Sequence, residues 1–124
     1  MSTLGQFIQS GDWKGEKHVP VIHLPEKINA GEPVTIKVSI GDAIKHPNTL
    51  EHHIAWFKLM FVPEGGKFPV ELGNYEFRSH GEFDTLAEPE VSATVSFKSA
   101  GTLLAVSYCN IHGLWESSAE IKIG

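Results

Sequence analysis

The sequence contains a single cysteine, Cys109, among its 124 residues. An intrachain disulfide is therefore impossible, which excludes a small oxidised domain held together by several disulfides. A lone thiol that must stay reduced fits a reducing compartment, so we expect the protein in the cytoplasm. Residues 1–11 lack the basic start, apolar middle and small-residue cleavage site of a secretory signal, in keeping with that location.

Long apolar runs and an excess of basic charge are also missing. No stretch approaches the roughly 20 apolar residues that span a bilayer, so we expect no membrane insertion. A formal net charge of −5 argues against general nucleic-acid binding, which needs clustered cations to displace counterions. The length predicts one domain over residues 1–124, in which residues 1–12 form an N-terminal arm.

Short strand-like patterns recur along the chain, without any long helical pattern. Residues 33–40 alternate between apolar and polar side chains, as a half-buried strand does. Similar runs, separated by turn residues such as Gly73 and Asn74, occupy residues 19–24, 53–62, 68–72, 74–79, 91–97, 102–108 and 118–123. We predict an all-β fold, an immunoglobulin-like antiparallel β-sandwich of about seven strands, although the Cys…Trp…Cys signature of antibody domains is absent. A small barrel is the alternative, and the acidic stretch 80–90 is predicted to be a surface loop.

What the sequence has in excess is histidine, with seven residues. One of them lies in the segment YCNIHGLW, residues 108–115, where a predicted strand runs into a loop that carries Cys109 and His112. A Cys-x-x-His pair at the end of a strand can place a thiolate and an imidazole on one metal ion. In isolation, however, such a pair is more often a buried cysteine beside a hydrogen-bonded turn histidine.

Two further histidine clusters change that balance. The segment HPNTLEHH, residues 46–53, contains His46 and His52, and the segment GEKHVPVI, residues 15–22, contains His18. Loops at one end of a sandwich converge, so these loops can join the Cys109 loop and supply four imidazoles and one thiolate. Structural zinc takes four ligands and blue copper takes two histidines, one cysteine and a weak axial methionine, so a set of five strong donors favours iron.

The segments GDWKGEKHVPVI, HPNTLEHHI and SYCNIHGLWE resemble the three motifs of superoxide reductases of the single-iron, neelaredoxin-like class in the desulfoferrodoxin family. The resemblance covers most of the chain. It implies one-electron reduction of superoxide to hydrogen peroxide, without production of dioxygen, at one non-haem iron ion (Fe²⁺/Fe³⁺) per chain. The implied ligands are four equatorial histidines and an axial thiolate: His18, His46, His52, His112 and Cys109.

The resemblance also implies two catalytic residues beside the metal. Glu16 is the carboxylate that can occupy the sixth position of the iron in the oxidised resting form, and Lys17 is the cation placed beside it. We assign no proton-transfer role to Glu16. Trp13 and Trp115 lie within the motifs, but aromatic residues in a small β core need no role at a metal, so we leave both out of the predicted site.

Three histidines match no ligand position of the family. His53 follows His52 directly, and in an extended segment its side chain points the opposite way, so we interpret it as structural. His23 and His80 are interpreted as surface or hydrogen-bonded residues.

The resemblance further implies a rubredoxin-like electron donor and a homo-oligomer, with a tetramer favoured. One alternative function is a cupredoxin-like electron carrier, which needs a methionine shortly after His112; the chain has methionine only at positions 1 and 60. A non-enzymatic immunoglobulin-like binding module with structural zinc is the other alternative, and it would make Glu16 and Lys17 incidental.

Overall fold

The fold consists of two facing β-sheets and is described here from a computed structural model that covers residues 2–124. Two short 3₁₀ turns, Leu4–Phe7 and Glu82–Asp84, accompany the strands. In chain order the strands are β1 (Ile8–Gln9), β2 (Pro20–His23), β3 (Pro33–Ile40), β4 (Ile54–Pro63), β5 (Val70–Glu76), β6 (Glu90–Ser96), β7 (Gly101–Cys109) and β8 (Gly113–Ile121). Within residues 2–124, no helix has the length and apolar character needed to cross a membrane.

The strands form a five-stranded sheet in the order β1-β8-β7-β4-β5 and a three-stranded sheet in the order β2-β3-β6. Neighbouring strands are antiparallel except for β1, which pairs in parallel with the start of β8. This arrangement confirms the predicted all-β sandwich. Stretch 80–90 is a loop between β5 and β6, as expected, closed by an isolated bridge between His80 and Leu86.

Alternating side chains on the two sheets build the core. In β3, Ile36 and Val38 are fully buried while Lys37 between them is exposed. Phe57, Leu59 and Leu103 meet them from the five-stranded sheet and are also fully buried. Burying each such side chain contributes roughly 1.5–3 kcal/mol, so this layer holds the two sheets together.

One predicted turn is wrong. The sequence suggests strands at 68–72 and 74–79 separated by a turn at Gly73 and Asn74, but β5 runs through both residues without a break. The pairing with β4 shifts register between Leu59 and Met60, opposite Gly73, which is typical of a β-bulge. A Cβ at position 73 would lie 2.5 Å from the hydroxyl of Tyr75, so the glycine makes room for that ring rather than for a turn.

Three connecting segments meet at one end of the sandwich, which we call the Cys109 end. Strand β7 ends there at Cys109, paired with Ile54 at the start of β4. In the other sheet, Pro20 at the start of β2 pairs with Ile40 at the end of β3. The segments before β2, between β3 and β4, and between β7 and β8 therefore all lie at this end.

Candidate metal centre

The β7–β8 hairpin brings a thiol and an imidazole together. Cys109 pairs with Gly113 across a short loop, and Gly113 has a φ of 80°, a conformation that glycine adopts without a Cβ clash. The loop turns the backbone N–H of His112 toward Cys109 Sγ, 3.4 Å away, and sets His112 Nδ1 3.8 Å from the same sulfur. Cys109 is fully buried, whereas His112 is exposed.

The long connection between β3 and β4 contributes His46 and His52. Gly41 lets this connection fold back tightly, because its φ is 73° and a Cβ there would lie 2.3 Å from the backbone nitrogen of His46. His46 Nδ1–H donates to the carbonyl of Pro47 over 2.7 Å. Its other ring nitrogen, Nε2, therefore carries the lone pair and lies 3.5 Å from Cys109 Sγ.

The segment before β2 contributes His18, which is buried. Its carbonyl accepts a hydrogen bond from Ser107 of β7, which ties the segment to the five-stranded sheet. Its Nδ1 lies 2.5 Å from a carboxylate oxygen of Glu16, so the opposite nitrogen, Nε2, points inward to within 3.0 Å of His112 Nδ1. A histidine held by a carboxylate on its outer nitrogen is typical of a metal ligand.

These donor atoms converge on one point. One ligand atom from each of His18, His46, His52 and Cys109 lies within 4.8 Å of all the others, and His112 adjoins this group through its contacts with His18 and Cys109. Nε2 of His52 is buried and has no hydrogen-bond partner in the described chain. A buried imidazole nitrogen without a partner, facing three other lone-pair donors, fits a metal ion better than an ordinary core.

The electrostatics favour the neutral imidazole at His46 and His52. Burial lowers the pKa of His46 to about 4. Burial, followed by the neighbouring His112, also lowers the pKa of His52. Lys17 is half-buried, and its positive charge lowers the pKa of both rings further. Metal ligation requires unprotonated imidazoles, so these two rings can bind a cation without first losing a proton.

Glu16 is held as a carboxylate beside this cluster. Partial burial raises its pKa, but the hydrogen bonds it accepts from the ring and backbone of His18 outweigh burial, so its pKa lies below the ordinary value. In this structure the carboxylate faces the outer nitrogen of His18. It thereby fixes the ring orientation and makes the imidazole a stronger donor.

The other histidines lie outside the cluster. His53 and His80 stack on each other with ring centroids 3.6 Å apart. His23 is partly exposed and lies 3.5 Å from a carboxylate oxygen of Asp42.

Trp115 is a site residue that the sequence reasoning missed. It is buried, stacks on His18 with ring centroids 4.8 Å apart and planes 14° apart, and donates its Nε1–H to the carbonyl of His112. It therefore braces two of the converging histidines at once. The signal in the sequence that could have identified Trp115 is its position two residues after Gly113, which places it on the inward side of β8.

Comparison with known proteins agrees with this geometry. The family model described as desulfoferrodoxin matches residues 10–118. The chain belongs to the desulfoferrodoxin family. Within this family it is 50% identical over 119 residues to the superoxide reductase of Pyrococcus horikoshii, covering 96% of this chain and 99% of that one. It is 43% identical over 124 residues to the neelaredoxin of Megalodesulfovibrio gigas, covering 94% and 95% of the two chains.

Solved structures of the desulfoferrodoxin family share the fold. The superoxide reductase (neelaredoxin) from Archaeoglobus fulgidus in the reduced form superposes with a TM-score of 0.87 at 44% identity, covering 94% of this chain and 99% of that chain. A superoxide reductase solved in the oxidised state superposes equally well, with a TM-score of 0.87 at 46% identity, covering 97% and 100% of the two chains.

The lowered histidine pKa values predict acid sensitivity of the metal-free protein. The unfolded chain takes up a proton at His46 near pH 6.5, whereas the folded chain does so only near pH 4. The free energy of unfolding is therefore unaffected by His46 above pH 6.5. It decreases by about 3 kcal/mol through His46 as the pH falls from 6.5 to about 4. Urea unfolding across this range measures the loss, and the slope should flatten in His46→Gln. His23→Gln is the control; an equally flat slope there would contradict the assignment to His46.

Proposed function

We propose that this chain is a superoxide reductase, which reduces superoxide by one electron to hydrogen peroxide and produces no dioxygen. One iron ion per chain would be held by His18, His46, His52, His112 and Cys109. The observation that carries the proposal is the convergence of the buried Cys109 sulfur with ring nitrogens of three histidines, one of which, Nε2 of His52, has no hydrogen-bond partner in the described chain. The names of the relatives, superoxide reductase and neelaredoxin, support the same activity.

The donor set fits iron better than the alternative metals. Four donors already satisfy structural zinc, and His112 would then be left over. A blue-copper carrier needs a weak axial ligand, usually methionine. In the part of the chain that the structure describes, the one methionine is Met60, which lines a groove on the outer face of the five-stranded sheet, away from the donor atoms. The geometry therefore gives the cupredoxin-like alternative no support.

Iron, when bound, supplies the electron that superoxide accepts. The chain contributes the surroundings: the buried Cys109 sulfur accepts the backbone N–H of His112, which tempers the electron density that the thiolate donates. Water reaches the site from the side of His112, because that ring is exposed, and can deliver the two protons that peroxide requires.

Lys17 would attract the substrate. Superoxide is an anion and the net charge of the chain is −5, so a local positive charge is needed at the site. The half-buried ammonium of Lys17 is close enough to lower the pKa of His46 and His52, which supports a positive potential there. Glu16 is proposed as the second catalytic residue, with the carboxylate that the oxidised iron would take as its remaining ligand.

We also propose a rubredoxin-like iron–sulfur protein as the electron donor and the cytoplasm as the location. Cys109 is the only cysteine of the chain, so no second cysteine-bound iron centre can relay electrons from within it. An external one-electron carrier is therefore required. A reducing compartment keeps the thiolate available as a ligand.

A homo-oligomer, with a tetramer favoured, is the assembly we propose. The outer face of the five-stranded sheet carries an apolar groove of about 340 Å³. Its lining includes Leu4 and Ile8 of the N-terminal segment together with Trp56, Leu104 and Leu114 of the sheet. An apolar face of this kind is well suited to burial against another copy of the chain.

The activity is tested by loading the metal-free protein with Fe²⁺ and adding superoxide. We expect one iron per chain, a visible thiolate-to-iron band in the oxidised state, and one peroxide formed per superoxide, twice the yield of dismutation. In Cys109→Ser the band should vanish, because an alkoxide or hydroxyl donor replaces the thiolate. Preferential binding of zinc, with no consumption of superoxide, would favour the binding module instead.

The role of Lys17 is tested by its salt dependence. In Lys17→Ala we expect the rate constant with superoxide to fall by roughly 10-fold at low ionic strength and to lose most of its dependence on salt. Pulse radiolysis measures this rate. Lys122→Ala, which removes an exposed lysine just beyond the opposite end of β8, is the matched control. Equal rate constants with superoxide in Lys17→Ala and Lys122→Ala would contradict this role, because the net charge of the chain and not the position of Lys17 would then set the rate.

The assembly is tested by analytical ultracentrifugation. We expect the wild-type protein to sediment as a multiple of 13.6 kDa and Leu104→Glu to shift toward the monomer, because a carboxylate in the groove opposes burial. Thr94→Glu introduces the same charge at an exposed position of β6 in the other sheet and should leave the assembly intact. A monomeric wild-type protein would overturn the proposal.

A further inference from the structure

His52 lacks the outer support that two other converging histidines have. His18 is held by Glu16 and His46 by the carbonyl of Pro47. In the described part of the chain, the ring of His52 makes no hydrogen bond, and only its backbone is tied, to Thr49. The direction of its side chain must therefore come from the backbone around it.

The next residue, His53, anchors that backbone through its own ring. His52 belongs to the donor cluster, whereas the ring of His53 lies outside it, against His80. The His53 ring lies flat on the ring of His80, with centroids 3.6 Å apart and planes 9° apart. Its Nδ1–H donates to the carbonyl of Thr49, which closes the turn around His52.

His80 is itself fixed by a second contact with the same ligand-bearing segment. Nδ2 of Asn48 donates to the carbonyl of Ala87, so the amide oxygen of Asn48 is the acceptor for His80 Nδ1–H, 2.9 Å away. The backbone N–H of His80 donates to the carboxylate of Glu82. His80 is buried, and this burial lowers its pKa.

Asn110 holds the same backbone from the opposite side. The amide oxygen of Asn110 accepts the backbone N–H of His53 over 2.8 Å, and its Nδ2 donates to the carbonyl of Glu51. The backbone N–H of Asn110 in turn donates to the carbonyl of His53. Since Asn110 follows Cys109 directly, the backbone of His52 is fixed between the thiolate loop and the ring of His80.

We propose that His80 is a positioning residue of the metal centre, acting through its stack on His53 and its hydrogen bond to Asn48 to aim His52 at the metal. The proposal rests on the proposed function in that His52 must be a ligand. The loop between β5 and β6 thus joins the three motif segments as a fourth element that shapes the site. Outer partners of this kind typically alter metal affinity by about 10- to 100-fold.

The test uses the full chain loaded with Co²⁺, whose visible spectrum reports the ligand set. Competition against a chelator measures the Co²⁺ affinity of each variant relative to the wild type. We expect this affinity to fall by about 100-fold in His80→Ala and by about 10-fold in His80→Phe. The phenylalanine keeps a flat ring on His53 but cannot donate to Asn48, and it decides the question if the alanine variant does not fold. The visible bands should shift in both variants, and His23→Ala should match the wild type.

A purely structural role for His80 gives a different result. It would lower the thermal midpoint while leaving the Co²⁺ affinity and spectrum of the folded variants as in the wild type, and that outcome overturns the proposal. Failure of the wild-type chain itself to bind Co²⁺ or Fe²⁺ would overturn the metal assignment as well. Hydrogen exchange of the His53 amide in the metal-free protein separates the two cases, because it should quicken in His80→Ala whenever the stack holds this segment.

Discussion

The structure depends on holding several metal-binding donor atoms close together, with Cys109 Sγ and Nε2 of His52 buried among them. Nε2 of His52 is buried without a hydrogen-bond partner, which alone costs about 1–3 kcal/mol. Cys109 is fully buried beside it. No local turn could impose this arrangement against that cost, so it requires a rigid sandwich whose core contributes far more stability than the site removes.

Close backbone contacts connect the site to the rigid sandwich and restrict the conformations of the loops that carry the donor residues. Gly41 allows the approach of His46, and Gly113 allows the hairpin that places His112 above the sulfur. Outer acceptors then decide which nitrogen faces inward in two of the rings: the carboxylate of Glu16 for His18 and the carbonyl of Pro47 for His46. The sheets hold the loops in place, the loops place the side chains, and the outer acceptors select the tautomer. Together these contacts fix the donor geometry.

The alternation over residues 33–40 predicts β3 with its correct bounds, because one face of that strand is buried and the other is not. The histidine and cysteine motifs predict the donor cluster because their residue types are unusual at turns. The prediction of a turn at Gly73 is wrong because glycine is favoured both in turns and in β-bulges. The stack of His53 on His80 joins residues 27 positions apart in the sequence, and such a contact follows from register and packing that no local pattern contains.

Sequence separation within the donor cluster has a consequence for biosynthesis. His18 and His112 lie 94 residues apart along the chain yet their ring nitrogens are 3.0 Å apart, and the hairpin that holds His112 includes the last strand. While the ribosome is still making β8, the emerging histidines have no thiolate loop in place. The donors can converge only once β8 has paired with β7, so it is the geometry of the folded site that can discriminate among competing metals.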